Sequence, residues 1–384
     1  MRKLLQSFPY QYHLRNLFAR KASTSLNLFA IVVTVTVFLV MNGMSTGLRN
    51  SLHATGRDDT VVILTKGSQT AEVSKLPPDF FAILRYFPEI AKRQDGTPML
   101  SQETYTVKPL PPVTGTGRRW IPIRGIEPQN IDLYSDLLKI EGRPIQADRE
   151  VLVGNLVHLK MGKMKLGDQI LLGRERHTIV GFFTAKGSAY ESEMWVTRND
   201  LKVDFNLNYD SVDVVRFNNL KDRDDFIARA AADSRLRVDL KTEREYFSAL
   251  DSGAAIIQLI ASVIAVILSV AAVFTGMNAL YASVASRTRE IGTLRSMGFG
   301  QRAILLGFLF EGVTIALIAG LFSMLLSLPF EHLPIAYMRS SFRIAIPLPL
   351  LLKGLLVALG VGLIGSYIPA RQAARMKIVE ALKG

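Results

Sequence analysis

The richest concentration of interaction chemistry in the chain lies at 286–300, SRTREIGTLRSMGFG. Arg287, Arg289, Glu290 and Arg295 supply charge, Ile291, Leu294 and Met297 recur at helical spacing, and Gly298 and Gly300 suit the end of a helix. This is the chemistry of docking and not of bond-making. A short amphipathic helix of this kind fits a groove on a partner protein and fits lipid headgroups equally well. The second notable charge is Glu311, the one acid inside a long apolar run, whose burial is costly without a partner or access to an interface. An interfacial or packing role and a functional one both remain open for it.

Catalytic chemistry finds little footing elsewhere. There is no cysteine, which excludes disulfides, thiolate metal sites and cysteine nucleophiles. The glycine-lysine cluster at 162–167 lacks the spacing of a phosphate-binding loop, and no G-x-S-x-G elbow presents a serine. His13, His53, His158, His177 and His332 form no H-x-x-x-H or H-E-x-x-H pair, so each reads as a surface or loop residue. The expectation is a non-catalytic chain with no cofactor-binding or metal-binding residues of its own.

The elements around these residues are mostly membrane helices. Of the 384 residues, 49% are hydrophobic, and four long apolar runs stand out at 26–44, 253–279, 303–328 and 348–368. Each is long enough as a helix to cross a hydrocarbon core of about 30 Å. The first is longer than the apolar core of a usual cleaved signal. The net charge of +13 is concentrated beside these runs: 1–25 carries 5 basic and no acidic residues, while 280–303 and 370–384 each carry 4 against 1. The region 45–251 is nearly neutral, with 30 basic against 29 acidic residues. This is the positive-inside pattern and not a nucleic-acid stripe, and it predicts both termini in the cytoplasm with 45–251 and 329–347 outside. Arg15, Arg20 and Lys21 would anchor the first span, with 10–18 as an interfacial helix before it. Small residues along the second span (Ala261, Ala265, Ala272 and Gly276 among them) and Gly360, Gly362, Gly365 and Ser366 in the fourth suit close helix packing.

Between the first two spans, short β-like runs separated by turn residues predict strands at 60–64, 104–110, 120–126, 150–154, 169–172, 177–183, 194–197 and 211–217. Helices are expected at 79–90, 155–161 and 222–232, giving an α+β domain. The stretch 240–250, charged but free of Gly and Pro, reads as a helical stalk continuing the second span outward, and 45–54 is expected to do the same for the first span. The loop 185–195 sets Tyr190 and Trp195 beside Glu191 and Glu193; it reads as a contact surface or as an ordinary lead into a strand.

The run from Asn278 through SVASRTREIGTLRSMGFGQRAILLGFLFEG resembles the signature of the FtsX-like and MacB-like ABC transporter permeases, as do PARQAAR at 369–375 and VEAL at 379–382. Within 45–251, KIEGRP at 139–144, VLVGNL at 151–156, LGD at 166–168 and IVG at 179–181 are similar to the MacB-like periplasmic core domain. The resemblance implies one span, a large outer domain with a porter-like α+β part and a β-rich part, then three spans. It implies that 280–302 holds a coupling helix, with Arg287, Arg289, Glu290, Ile291, Leu294, Arg295, Met297 and Gly298 docking on a separate cytoplasmic ATPase that carries ATP and Mg. It further implies an acid at Glu311, a second permease copy as a homodimer, a bacterial inner-membrane location, a periplasmic adaptor protein, and export of a peptide, lipid, glycolipid or drug by mechanotransmission. The alternatives are an FtsX-like transducer acting on a periplasmic partner, and a lipoprotein-releasing permease.

Overall fold

The computed structural model describes residues 21–113, 116–162, 164–250, 252–337 and 340–378. The expected interfacial helix at 10–18, Arg15, Arg20 and the VEAL motif lie outside them. The chain forms two compact units. The membrane unit comprises Met1–Thr46, Ala255–Glu331 and Ile344–Gly384, and the outer unit Gly47–Ala254 with His332–Arg343.

Four helices are long and apolar enough to cross a membrane: α1 (Lys21–Thr55), α7 (Ser252–Ser286), α9 (Gln301–Ser327) and α10 (Leu348–Arg375). Three outrun the apolar segments that mark them. The first includes the expected stalk at 45–54, α7 continues seven residues past 279, and α10 runs through Pro369 to Arg375. Packing follows the small residues. Ala261, Ala265, Ala272 and Gly276 form the buried stripe of α7, while Leu259, Val263, Val266 and Ile267 are exposed. A Cβ on Gly362 would lie 2.4 Å from Ala316 Cβ, and one on Gly312 2.5 Å from Ser366 Cβ, so α9 and α10 meet nearly backbone to backbone.

In the outer unit a ten-stranded sheet runs in the order β10-β1-β9-β2-β3-β8-β5-β7-β4, with β6 paired to β7. Its strands are β1 (Thr60–Thr65), β2 (Leu100–Leu110), β3 (Arg119–Ile126), β4 (Lys139–Gly142), β5 (Glu150–Gly154), β6 (Gln169–Leu172), β7 (Glu175–Thr184), β8 (Met194–Thr197), β9 (Val212–Arg216) and β10 (Val238–Thr242). With α2 (Pro78–Leu84) and α5 (Leu220–Ala232), the strands β1, β2, β9 and β10 form a β-α-β-β-α-β unit in which every neighbouring pair is antiparallel. The β-rich remainder is inserted between β2 and β9, with α3 (Asn155–Met161) and α4 (Arg198–Phe205). Each half has its own core, one around Ile63, Val215 and Phe226, the other around Ile123, Val153 and Ile179. The long strand β2 serves both, pairing with β9 through Leu100–Glu103 and with β3 through Thr104–Leu110.

Three expectations change here. The helix expected at 79–90 ends at Leu84, and Tyr86 and Phe87 close it with tight i→i−3 bonds before Pro88, which offers no N–H and disfavours helix at the residue before it. The stalk expected at 240–250 begins as strand β10, because the edge of β1 pairs it from Val238 to Thr242. Only at Thr242 does a capping box with Glu245 start a helix, α6 (Glu243–Ala249). The segment 329–347, expected as a loop, contains a hairpin of β11 (Pro334–Tyr337) and β12 (Ser340–Arg343).

Candidate coupling and relay sites

The docking segment folds as expected of its periodicity. Helix α8 (Thr288–Ser296) starts at Arg287 and stops at Met297, and Gly298 turns the chain with φ of +96°, where only glycine is unstrained. The apolar edge, however, does not await a partner. Ile291 is buried and Leu294 packs beside it against Leu280, Val284, Ile304, Phe308 and Ala373 of the membrane unit, since these ends of α7, α9 and α10 offer the nearest apolar surface. What remains exposed is Arg289, Glu290, Thr293, Ser296, Met297 and Gly298, a polar face with one large apolar residue.

Two charges fasten this helix. The Arg295 guanidinium donates to the carbonyls of Ala374 (2.9 Å) and Met376 (3.1 Å), capping the C-terminal end of α10 where helix carbonyls lack partners. Arg287 Nη1 stands 3.8 Å from Glu311 Oε2, both side chains buried. The structure thus brings together Arg287 and Glu311, the one acid within the long apolar helices among the described residues, at ion-pair distance but without a hydrogen bond between Nη1 and Oε2.

The outer unit holds a second constellation that sequence reasoning missed. Immediately after α1, Arg57 lies buried and donates from Nε to Glu243 Oε2 (2.7 Å), from its backbone N–H to the same oxygen (3.1 Å), and from Nη1 to the Leu133 carbonyl (2.6 Å). Tyr190 Oη donates to Glu243 Oε1 at 2.5 Å. Gly56 sits so close to the first turn of α6 that a Cβ there would come within 2.6 Å of Arg244 Cα. Thr55, the last residue of α1, accepts the Ala189 N–H at 2.7 Å. The end of α1 is therefore latched to the start of α6 and to the 185–195 loop.

A further ion cluster lies in the same core. Arg124 donates to Glu193 through Nε (2.7 Å) and Nη2 (2.8 Å) and to Glu103 through Nη1 (2.5 Å); Tyr134 Oη donates to Glu103 and Trp195 Nε1 to Glu193. Burial pushes the Tyr134 and Tyr190 phenols well above their ordinary value, so both stay hydrogen-bond donors. Burial opposes the Arg124 charge, and the Glu193 and Glu103 carboxylates more than offset this.

This arrangement corrects two expectations. Tyr190, Glu191, Glu193 and Trp195 are all buried, so they are interior residues and not a contact surface. Their charges and ring dipoles are satisfied by Arg124, Glu243 and backbone N–H groups. His177 is no surface residue either, being fully buried on β7 with Nε2 2.6 Å from Asp204. Among the described residues no group of three or more His, Cys, Asp or Glu is placed to hold a metal ion.

Comparison with known proteins matches residues 24–234 to the MacB-like periplasmic core domain and residues 262–378 to the FtsX-like permease C-terminal family. The pyoverdine export ATP-binding/permease protein PvdT of Pseudomonas entomophila is 28% identical over 60% of this chain and 37% of its own. The macrolide export ATP-binding/permease protein MacB 1 of Aeromonas hydrophila is 28% identical over 71% of this chain and 43% of its own. The chain thus spans less than half the length of the curated relatives it matches. The periplasmic region of MacB from Actinobacillus actinomycetemcomitans aligns with 11% identity over 53% of this chain and 97% of that one, at a TM-score of 0.39, too low to equate the two folds. With one family model covering more than half of the chain and a second covering the later spans, the chain belongs to the family of FtsX-like and MacB-like ABC transporter permeases.

Proposed function

We propose that this chain is the membrane subunit of an ABC exporter working by mechanotransmission. A separate cytoplasmic ATPase, carrying ATP and Mg, docks on the exposed face of α8, and its closure is passed through the spans to the outer unit to drive export of a peptide, lipid, glycolipid or drug. The observation that carries this reading is the fastening of α8 by Arg295 to the end of α10 and by Arg287 to Glu311 in α9. A force applied to Arg289, Glu290 and Met297 then moves two spans together and is not absorbed by a loose loop. The latch of Arg57 on Glu243 supports the other end of the relay, because it joins the chain leaving one span to the chain entering the next.

The exporting relatives favour cargo movement over signal transduction. The exposed apolar face of α7 fits a second copy of the chain or lipid. A periplasmic adaptor completes the assembly, and the charge distribution favours a bacterial inner membrane with both termini cytoplasmic.

The test is co-purification of the tagged full chain from its native membrane, followed by ATPase assays in nanodiscs. The wild type should bring down an ATPase, and the Arg289→Glu/Glu290→Arg variant should lose both capture and stimulation with the melting of the outer unit unchanged. Equal capture by the variant would remove α8 as the docking element. An ATPase recovered with a cell-wall hydrolase and without an adaptor would favour the transducer.

A further inference from the structure

The outer unit contains a cavity of about 420 Å³ between β4, the 185–195 loop and β12. Lys139, Lys186 and Arg343 line it together with Asp136 and Glu191. The two acids are already engaged. Glu191 is buried and accepts the N–H groups of Ala185 (2.9 Å) and Gly187 (2.8 Å), while Asp136 pairs with Arg216 at 3.0 Å and with Arg57 at 3.5 Å. Among the described residues the three cations have no acid or carbonyl partner, and Arg343 Nε is buried without an acceptor. A buried donor left unpaired is costly, and such a group calls for an acceptor.

Two further features point the same way. Lys186 is held in the left-handed region at φ of +52°, a strained conformation for a non-glycine residue of the kind that recurs at ligand clamps. Arg343 stands five residues before Leu348, where an apolar helix long enough to span a membrane begins. The volume exceeds what a bare phosphate fills and falls in the range of pockets for small molecules, about 300–1,000 Å³.

We propose that this cavity binds a phosphate-bearing polar head, with Lys139, Lys186 and Arg343 neutralising the oxyanion and Asn155 and Thr184 available to its hydroxyl groups. The proposal does not rest on the export reading, because it requires neither an ATPase nor a cargo. The phosphate is carried by a membrane lipid or by a soluble phosphoester, and the test separates the two.

The full chain in detergent is offered phosphatidylglycerol or phosphatidylcholine, and retained lipid is counted by native mass spectrometry. Glycerol 1-phosphate and inorganic phosphate are titrated in parallel by calorimetry. The expected result is preferential retention of phosphatidylglycerol, weakened at least about tenfold in the Lys139→Gln/Lys186→Gln/Arg343→Gln variant by loss of the charge-assisted hydrogen bonds. Thr184→Glu, at an exposed position, should reproduce that loss by placing a negative charge in the cavity, and Lys221→Gln, on α5, should leave retention unchanged. Binding of glycerol 1-phosphate without lipid preference, again lost in both cavity variants, would support the site and assign it a soluble ligand. Equal retention in the wild type and the triple variant, or no binding of any of the four probes, overturns the proposal.

Discussion

Replacing Glu243 by Gln tests the latch of the outer unit most directly. The side chain is fully buried and receives four hydrogen bonds, three from Arg57 and one from Tyr190. Gln keeps the volume and one acceptor oxygen but removes the charge and turns an amide N–H toward the Arg57 guanidinium. Arg57 would retain the one neutral amide oxygen, the Leu133 carbonyl and the Asp136 carboxylate at 3.5 Å, and would lose its buried counter-charge. Removing one partner of a buried pair costs about 3–5 kcal/mol. In a unit of this size each kcal/mol moves the melting midpoint by about 2–4 °C, so Glu243→Gln should lower it by about 6–20 °C. The double variant Arg57→Met/Glu243→Leu removes both charges, and the Leu133 carbonyl keeps Arg216 as a donor at 3.0 Å. It should recover at least half of the loss, since a matched apolar pair is often no worse than the ions it replaces. The assay is scanning calorimetry of the full chain in nanodiscs. A loss below about 2 °C in Glu243→Gln, or a double variant less stable than the single one, would refute the claim that this charge pair holds the junction.

Glu311→Gln removes the carboxylate facing buried Arg287 and should reduce stimulation of the ATPase at least about fivefold while the outer unit melts as before; unchanged stimulation would make the pair a packing feature only. Gly362→Ala drives a Cβ into Ala316 at 2.4 Å, so it should cost about 1–3 kcal/mol and appear as a lower midpoint. Gly360→Ala meets nothing within 4 Å and should be silent, and equal behaviour of the two would count against the close approach of α9 and α10. Burial pushes the Asp213 carboxyl well above its ordinary 3.8, with Asp210 and Glu103 adding repulsion, and neither oxygen has a hydrogen-bond partner. The folded chain then holds a proton that the unfolded chain has released, so stability falls as pH rises from 3.8 to the raised value, by up to about 1.4 kcal/mol per pH unit. Asp213→Asn should flatten that slope and raise the midpoint at pH 7, and melting curves from pH 4 to 8 that keep the wild-type slope would discount it.

What could be read from the sequence follows from the range over which each interaction acts. The spans announce themselves because every residue of a run such as 26–44 meets the same apolar surroundings, and strands such as Glu150–Gly154 and Gln169–Leu172 are short apolar runs bounded by turn residues. The short strand β10 carries no such signal. VDLKT becomes a strand because β1 offers it a free edge, and that edge lies more than 170 residues away in sequence. The charge pattern of α8 foretold a helix with one apolar edge, but periodicity is blind to what covers that edge. Ile291 turns inward because Leu280, Ile304 and Phe308 are at hand once the spans have assembled.

The interior ions leave no local signal in the sequence either. Nothing in the local sequence marks Glu103, Glu193 or Glu243 as interior, since an isolated buried carboxylate is expelled or neutralised. What retains them is Arg124 and Arg57, separated from their acids by 21, 69 and 186 residues. The sequence carries one local hint, Tyr190 and Trp195 flanking two acids, and it fits a contact surface or an ordinary lead into a strand equally well because the partners Arg124 and Arg57 lie far away in sequence. Apolar replacements would fill the same space with less desolvation cost, so stability alone does not account for an ion network in this core. Its position does: a directional bond such as Arg57 to Glu243 fixes the angle at which one chain segment leaves and the next enters, whereas apolar contacts slide. Under the proposed relay of movement, that fixed angle matters more than extra stability.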